Sequence, residues 1–312
     1  MNAQPSETPM TRQSLGRIEN RISFLYVERA VVNRANNALT ITDERGTAHV
    51  PATQISVVLL GPGTKITYAA MALMGDAGTS TVWVGSHGVR YSAHGRPLSA
   101  SSAMAEAQVK LWSNQRSRLN CAREMYQMRF PDEDVSHLTM QQLRGREGHR
   151  MKKIYAAEAQ RSGVKWKGRH YDPNSFDDGD AINQALTESA AALYGISHAV
   201  IVALGFIPAL GIVHSGKDCS LVYDIADLYK AEISIPAAFD AVACATGDDR
   251  PMVRAAVREK IVEKRLLPRM VHDLQRLMQL PDELYYDAVD LFLWNELELV
   301  PAGLNYESRL LQ

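Results

Sequence analysis

The sequence predicts an α+β protein in which a β-rich, sandwich-like domain is followed by a larger all-α domain. Short apolar segments separated by turn residues occupy residues 21–96, which is typical of a compact β domain. The composition changes near Pro97, after which long segments carry the apolar spacing of helices. The length of 312 residues is enough for two domains of ~100–200 residues each.

The β-rich part contains its own start and stop signals. Asn36-Asn37 and Gly61-Pro62-Gly63 are turn signals, and Thr67 and Gly78 are suited to begin and end a helix. The predicted elements, in order, are strands at 22–28, 39–42 and 55–60, a helix at 67–77 and a hairpin at 82–91.

The second part is helical by the same reasoning. Thr139 and Gln142 form a capping box at the start of one helix, and Gly163 ends it. The predicted helices are 101–130, 139–163, 181–204, 220–230, 250–265 and 269–279. The predicted organisation is a frayed leader (1–20), a β-rich domain (21–96), an α-helical catalytic domain (97–280) and an acidic, aromatic tail (281–312).

Composition excludes several classes of protein. Hydrophobic residues make up 46% and charged residues 22%, which excludes a disordered chain, a collagen and a disulfide miniprotein. Three widely spaced cysteines predict reduced thiols and a cytoplasmic location. The polar N-terminus predicts no signal peptide. Residues 189–216 contain no Asp, Glu, Lys or Arg, but interruptions such as His198, Gly205 and Pro208 favour a buried core helix over a membrane span.

The net charge of −1 is the sum of segments with opposite net charge. Residues 101–170 contain 14 basic and 7 acidic residues, whereas residues 171–250 contain 3 basic and 12 acidic residues. This asymmetry is expected of a protein that has a basic groove for a polyanion beside an acidic site for a cation. Chance variation among helical surfaces is the alternative.

Glu147 is the first candidate for chemistry. It lies four residues from Leu143 and therefore falls on the apolar stripe of its helix. A buried carboxylate must be paired, protonated or bound to a cation. Gly145 and Gly148 bracket it and would let another backbone or a phosphate approach closely. The alternative is a surface residue paired with Arg150.

A second cluster follows the longest apolar segment. His214 leads into a polar turn, a position that suits a cavity mouth. Asp224 and Asp227 share one helical face and need a compensating cation or donor. Glu147, His214 and Asp227 offer hard oxygens and one imidazole, a set that suits Mg²⁺ or Mn²⁺ better than structural Zn²⁺. On spacing alone, a core histidine and a solvated acidic pair are the alternative.

Basic residues surround these acids in the sequence. They lie on the Glu147 helix and in the segment after it, at Arg144, Arg146, Arg150, Lys152, Lys153, Lys165, Lys167 and Arg169. Trp166 and Tyr171 interleave with the second group, which fits phosphate contacts combined with base stacking. A solvated loop is the alternative.

Several runs of sequence, in order, resemble the CRISPR-associated spacer integrase family and, more closely, its type I-E subgroup. The helical part contributes QQLRGREG (141–148), KGRHYDP (167–173), GIVHSGK (211–217) and VYDIAD (222–227). The N-terminal part contributes LGPGT (60–64), VWVG (82–85) and GVRY (88–91). The resemblance covers residues 15–285 and breaks down in the tail.

The resemblance implies roles for particular residues. It places an acid–imidazole–acid metal triad, with Mg²⁺ or Mn²⁺, on Glu147, His214 and Asp227, and a further catalytic acid on Asp224. It matches family DNA-contact positions to Lys65, Arg90, Tyr171 and Tyr194. The basic segments add Arg144, Arg146, Arg169 and Lys217 as predicted DNA contacts. The aromatic wedge with which relatives splay a duplex end would fall near Arg29, where Phe24 and Tyr26 are the nearest aromatic residues.

The resemblance also implies partners. It predicts homodimers, two of which flank a dimer of a small second CRISPR-associated protein in a four-plus-two complex, with DNA as the substrate and no membrane partner. Three alternative roles remain open for the tail after Pro281: packing on the core, contact with the small partner or recognition of spacer ends.

The predicted activity is metal-dependent DNA integration. The 3′-hydroxyl of spacer DNA attacks a phosphate of the CRISPR repeat in a transesterification that needs no covalent enzyme intermediate. A structure-specific, metal-dependent endonuclease, in which water replaces the hydroxyl, is the first alternative. A catalytically silent DNA-binding scaffold is the second.

Overall fold

The computed structural model of the chain describes residues 21–85, 91–96, 102–169, 180–245, 252–280, 288–294 and 299–301. Its strands are β1 (Arg21–Val27), β2 (Val31–Ala35), β3 (Ala38–Asp43), β4 (Gly46–Pro51), β5 (Val57–Leu60), β6 (Lys65–Ile66), β7 (Ser80–Val84), β8 (Tyr91–Gly95), β9 (Ala288–Trp294) and β10 (Leu299–Pro301). Its helices are α1 (Tyr68–Ala77), α2 (Ala103–Ser113), α3 (Gln115–Arg129), α4 (Met140–Ser162), α5 (Ala181–Leu204), α6 (Ser220–Tyr229), α7 (Ser234–Cys244), α8 (Val253–Glu263) and α9 (Leu266–Leu277). The predicted order of a β region and a helical region is confirmed.

The strands form two sheets. The larger has the order β10-β9-β1-β5-β7-β8, and the smaller has the order β4-β3-β2-β6. In the larger sheet β9, β1, β5 and β7 run parallel, while β10 and β8 are antiparallel to their neighbours at the two edges. The hairpin predicted over 82–91 corresponds to the β7–β8 pair, and residues 86–90 lie outside the described part.

The central strands are covered on both faces, which explains their nearly continuous apolar sequence. Phe24 and Val57 belong to the core shared with the helices. Leu25 and Val58, the next residue along each strand, belong to a second core formed with the smaller sheet and α1. The β-rich and helical parts therefore share one hydrophobic core across the larger sheet.

Helix boundaries follow the predicted caps with one correction. Thr67 accepts a hydrogen bond from Ala70 N at the start of α1, and Thr139 and Gln142 form the complete capping box of α4. The single helix predicted at 101–130 is wrong. Asn114 is extended, and its side chain accepts from the amides of Arg116 and Ser117, so one helix ends there and another begins.

One helix was not predicted from the sequence. Helix α7 carries Pro236 in its first turn, where the missing amide hydrogen removes no helical hydrogen bond. Small residues such as Ala237 and Ala238 are fully buried, and α7 packs closely on α5. Tertiary packing therefore supports a helix whose own sequence gives a weak signal.

Part of the acidic tail belongs to the larger sheet. Strand β9 pairs in parallel with β1, and β10 pairs with β9. Of the three roles left open for the tail, packing on the core is thus seen for residues 288–294 and 299–301. The predicted leader, 1–20, lies outside the described residues.

Helix α5 is the core helix of the helical part. It is long and apolar enough to cross a membrane by composition, but 72% of its most apolar window is buried within the protein. The cysteine thiols are free: Cys121 is buried, Cys219 is partly buried and Cys244 is exposed.

Candidate active site

Helices α3, α4 and α6 and the loop before α6 enclose a cavity of about 10 Å³. That volume is close to what one water-sized occupant needs. The cavity is lined by Met125, Tyr126, Arg129, Glu147, Val213, His214, Asp224 and Asp227. The structure therefore brings together all four residues predicted to be catalytic, from segments as far apart as α4 and α6.

Glu147 is held at the cavity by two residues of α3. Tyr126 donates its hydroxyl to Oε2 at 2.7 Å, and Arg129 donates Nη2 to Oε1 at 2.7 Å. The carboxylate on the apolar stripe is thus paired, as its position requires. Pairing with Arg150 was the alternative, and it is wrong because Arg150 binds Glu133 through two nitrogens instead.

The charge of Glu147 is stabilised despite its position. Burial by itself raises the pKa of this carboxyl, but the Arg129 guanidinium and the Tyr126 hydroxyl hold the pKa below its ordinary value. His214 lowers it further by its charge. Glu147 is therefore ionised at neutral pH and available to a cation.

Asp224 organises the loop that carries His214. Its side chain is 1% exposed and accepts backbone amides of three consecutive residues: Ile212 at 2.5 Å, Val213 at 3.0 Å and His214 at 3.0 Å. Its Oδ1 also lies 2.7 Å from Nδ1 of His214. Both carboxylate oxygens are thus committed to protein donors, so Asp224 acts as the anchor of His214.

The His214 imidazole is fixed in orientation. Contact with Asp224 at Nδ1 directs Nε2 away from the anchor, and the side chain is 42% exposed at the mouth of the cavity. The hydrogen bond to Asp224 raises the pKa of His214, against the lowering effect of burial. Tyr223 packs edge-on against the ring at 5.9 Å between centroids.

Asp227 carries the least satisfied oxygen of the site. Its Oδ1 lies 2.5 Å from Nζ of Lys230 and is buried, and among the described residues no group gives that oxygen a well-directed hydrogen bond. Burial alone lowers the pKa of Lys230, but Asp227 and then Tyr194 hold it above its ordinary value. A divalent cation at this oxygen would compete with the Lys230 ammonium.

The donor set fits a hard divalent cation. Glu147 and Asp227 supply carboxylate oxygens, and the contact of His214 with Asp224 through Nδ1 leaves its Nε2 for a cation. In the described part of the chain, no three such side chains are gathered closely enough to hold one ion as they stand. The two carboxylates are paired with Arg129 and Lys230 instead.

Two arginines brace the His214 loop from the other side. Arg118 donates Nε to the carbonyl of Ile212 at 2.8 Å, and Arg144 donates Nη2 to the carbonyl of Val213. Gly211 is required at the start of this loop, because a Cβ there would lie 2.6 Å from the His214 carbonyl oxygen. By contrast, apart from the backbone of α4 itself, no described atom lies within 4 Å of a Cβ placed at Gly145 or Gly148, so no described segment approaches either glycine closely.

The predicted DNA contacts occupy different environments. Lys65, Arg144, Arg146 and Lys217 are exposed. Arg146 lies 3.6 Å from Glu133, and Arg144 is the loop brace described above. Arg90 and Tyr171 lie outside the described residues.

Arg169 and Tyr194 are engaged within the protein. Arg169 donates to the carbonyl and side chain of Asn183 and to Thr187, which ties its segment to α5. Tyr194 is partly buried, with the Lys230 ammonium 4.9 Å from its ring centroid. Trp166, predicted to stack on bases, packs instead between Tyr155 and Phe239 at 5.1 and 5.8 Å.

Neither aromatic near the expected wedge is presented to solvent. Phe24 is fully buried in the shared core. Tyr26 is partly buried, and its hydroxyl donates to Glu28 at 2.5 Å. Position 29 itself is an exposed arginine with a left-handed backbone (φ 53°).

Tyr126, Arg129 and Lys230 are site residues that sequence reasoning missed. A signal for Lys230 exists, because it follows Asp227 by three residues on one helix and can pair with it. Tyr126 and Arg129 are likewise three apart on α3, but nothing in the sequence shows that α3 faces α4.

The chain is similar to several known proteins. Residues 24–132 match the family model described as CRISPR associated protein Cas1. The chain is 48% identical to the CRISPR-associated endonuclease Cas1 of Clostridium sp. (strain SY8519), over 94% of this chain and 98% of that protein. It is 41% identical to the CRISPR-associated endonuclease Cas1 2 of Thermus thermophilus, over 89% and 87% of the two chains.

A solved structure extends the likeness to three dimensions. The crystal structure of a TtCas1-DNA complex superposes with a TM-score of 0.77 at 43% identity, covering 83% of this chain and 97% of that one. The likeness thus includes both the β-rich and the helical parts. On identity and coverage together, the chain belongs to the CRISPR-associated Cas1 family.

Proposed function

We propose that this protein is a metal-dependent DNA integrase of CRISPR adaptation, of the type I-E subgroup. It would join 3′-hydroxyl ends of spacer DNA to a CRISPR repeat by transesterification. The observation that carries the proposal is the cavity that Glu147, His214 and Asp227 line together. Its relatives are named CRISPR-associated endonucleases, and one similar structure is of a DNA complex, which supports DNA as the substrate.

Each residue of the cavity has a role in this proposal. Glu147, His214 and Asp227 would hold Mg²⁺ or Mn²⁺, which when bound supplies the Lewis acidity that phosphodiester chemistry needs. Asp224 keeps the His214 imidazole oriented through Nδ1, so that Nε2 stays directed away from the anchor. Tyr126 and Arg129 keep Glu147 ionised and in place.

The exposed cations would bind the DNA backbone. Lys217 lies three residues after His214, and Lys65 lies on the smaller sheet. Arg146 is paired with an exposed carboxylate that a phosphate can replace. We further propose phosphate or base contacts for Arg90, Arg144, Arg169, Tyr171 and Tyr194.

The assembly belongs to the same proposal. We propose a cytoplasmic homodimer, with two dimers flanking a dimer of a small second CRISPR-associated protein and with no membrane partner. Size-exclusion chromatography with light scattering of the chain alone, and then with the small protein, measures both steps. A monomer that never associates would contradict this part of the proposal.

The proposed chemistry is tested by replacing Glu147. Glu147→Ala should abolish the joining of spacer ends to a supercoiled repeat plasmid in Mn²⁺. Glu158→Ala is the matched control, since Glu158 lies on the same helix and is also paired with an arginine, Arg161, away from the cavity. Full activity of Glu147→Ala would sink the site assignment, and a wild type inactive with Mn²⁺ would favour a DNA-binding scaffold.

A structure-specific endonuclease is the second candidate. The names of the relatives favour it, since they specify an endonuclease. The same cavity serves hydrolysis when water takes the place of the 3′-hydroxyl. The two reactions differ in whether they need a 3′-hydroxyl on the incoming DNA.

A further inference from the structure

Tyr126 differs from Arg129 and Lys230, the other side-chain partners of Glu147 and Asp227, because it is neutral. It is 0% exposed, and its hydroxyl donates to Oε2 of Glu147 at 2.7 Å. The other partner of Glu147 is the Arg129 guanidinium at Oε1, and the partner of Asp227 is the Lys230 ammonium. A cationic partner competes with an incoming divalent ion, whereas a neutral hydroxyl orients the carboxylate without opposing that charge.

The geometry leaves room for the hydroxyl and a metal ion on the same carboxylate. Each ionised carboxylate oxygen has two lone-pair directions, so Oε2 can accept from Tyr126 and still donate to a cation. The Tyr126 ring is immobilised by burial in the shared core, and the Arg129 guanidinium lies 5.5 Å from its centroid. A hydroxyl on a fixed ring determines where the carboxylate points.

We propose that Tyr126 is the positioning residue of Glu147 for a divalent cation. This inference rests on the proposed function, because it requires that Glu147 be a metal ligand. Outer hydrogen bonds to metal ligands fix their orientation, and losing one weakens metal binding by about 10–100-fold. Since Arg129 still holds Oε1 when the hydroxyl is removed, we expect the lower end of that range.

The test is a titration of Mn²⁺ monitored by electron paramagnetic resonance of the free ion. Tyr126→Phe removes only the hydroxyl and keeps the ring in the core, and its Mn²⁺ Kd should be about tenfold weaker than that of the wild type. Tyr229→Phe is the matched control. Tyr229 is also a buried tyrosine that donates to a carboxylate, Asp273 at 2.7 Å, and its loss should leave the Mn²⁺ Kd unchanged.

A second variant keeps the inference falsifiable if Tyr126→Phe folds poorly. Arg129→Gln removes the competing cation and leaves the Tyr126 hydroxyl, so its Mn²⁺ Kd should not be weaker than that of the wild type. Strand joining adds a readout that lost stability alone would not produce. Tyr126→Phe should need about tenfold more Mn²⁺ for half-maximal joining and approach the wild-type rate at saturation.

The outcomes separate the two proposals. If Glu147→Gln loses Mn²⁺ binding while Tyr126→Phe binds within twofold of the wild type, the metal site stands and the role of Tyr126 is overturned. The role of Tyr126 is also overturned if Arg129→Gln binds Mn²⁺ more weakly than the wild type while Tyr126→Phe binds it equally well. A wild type that binds no Mn²⁺ overturns both proposals.

Discussion

At the scale of single residues, the site depends on buried acids whose partners differ in kind. Asp224 is satisfied by protein donors alone, whereas Asp227 retains a buried oxygen without a directed hydrogen bond. The two lie three residues apart on α6, and only the structure separates their roles. Asp224 organises the loop, whereas Asp227 lines the cavity as the ion-pair partner of Lys230.

Asp224→Asn should cost both stability and activity. The asparagine amide would direct its own N–H groups at the donors of the loop, and leaving a buried donor unsatisfied costs about 1–3 kcal/mol. We expect strand joining to fall by about 10–100-fold, because His214 loses its orientation. Chemical denaturation and the joining assay measure the two effects. Asp273→Asn, which still accepts from Tyr229, should keep its activity, and an Asp224→Asn variant with wild-type activity would refute the anchor role.

His198 should make the stability depend on pH. Burial, and then the charge of His94, lower the pKa of His198 to about 4, and its ring stacks on Tyr91 at 3.6 Å. Below the ordinary value of about 6.5 the unfolded chain takes up a proton that the folded chain does not. The stability associated with His198 is therefore present above about pH 6.5 and lost as the pH falls toward about 4.

The measurement compares urea denaturation of the wild type and His198→Phe across this range. Phenylalanine keeps the stack on Tyr91 and cannot titrate. As the pH rises from about 4 to about 6.5, the free energy of unfolding of the wild type should increase relative to that of His198→Phe. Because the ring is partly exposed, this relative increase should be less than about 3 kcal/mol. Parallel curves for the two proteins would contradict the lowered pKa.

The four candidate catalytic residues could be predicted from the sequence, but the side chains that contact them could not. The apolar stripe of α4 shows that Glu147 must be paired, because an unpaired buried carboxylate is too costly. It does not show with what, since Tyr126 and Arg129 come from another helix. Contacts within one helix can be predicted from the spacing of residues in the sequence. Contacts between helices cannot, because they depend on how the helices pack.

At the scale of elements, the loop from Gly211 to His214 is the most constrained piece of the site. A Cβ at position 211 would meet the His214 carbonyl oxygen at 2.6 Å and Asp224 Oδ2 at 2.8 Å. The loop therefore relies on a residue without a side chain to bring three amides onto one carboxylate.

Two glycine-to-alanine changes should have opposite effects. Gly211→Ala should destabilise the protein by about 1–3 kcal/mol through steric overlap and impair strand joining. Gly145→Ala, in the interior of α4 with open space around it, should stabilise the protein by about 0.5–1 kcal/mol. Thermal melts of the two variants against the wild type measure both. Equal effects of the two changes would contradict the loop geometry.

Local signals predicted elements well where caps are explicit. The predicted caps Thr67 and Thr139 begin their helices as the sequence indicates, and α5 begins after Asp180, whose side chain caps it. The break at Asn114 and the existence of α7 were not predicted, since the first depends on one side chain turning back to the backbone and the second on burial against α5.

At the scale of the whole molecule, the two predicted domains are joined by a common core. Phe24 and Val82 of the larger sheet belong to the same cluster as Leu193 and Phe239 of the helices. The boundary near residue 97 marks a change of secondary structure but no separation of the core.

Unfolding should therefore be a single transition. Far-UV circular dichroism reports mainly the helices, and fluorescence of Trp83 reports the larger sheet when the other tryptophans are replaced by phenylalanine. The two should give coincident urea midpoints, because the larger sheet loses the cover of one face if the helices unfold, and the helices lose part of their core if the sheet unfolds. Two separated transitions would contradict the shared core.

The central claim is transesterification at this cavity, and the most direct measurement is the covalent joining of labelled DNA to a repeat plasmid in Mn²⁺. Paired substrates end in a 3′-hydroxyl or a 3′-deoxy sugar. We expect a joined product only with the hydroxyl, and none with Glu147→Ala. Equal cleavage of the plasmid with both ends and no joined product would contradict it and identify a hydrolase.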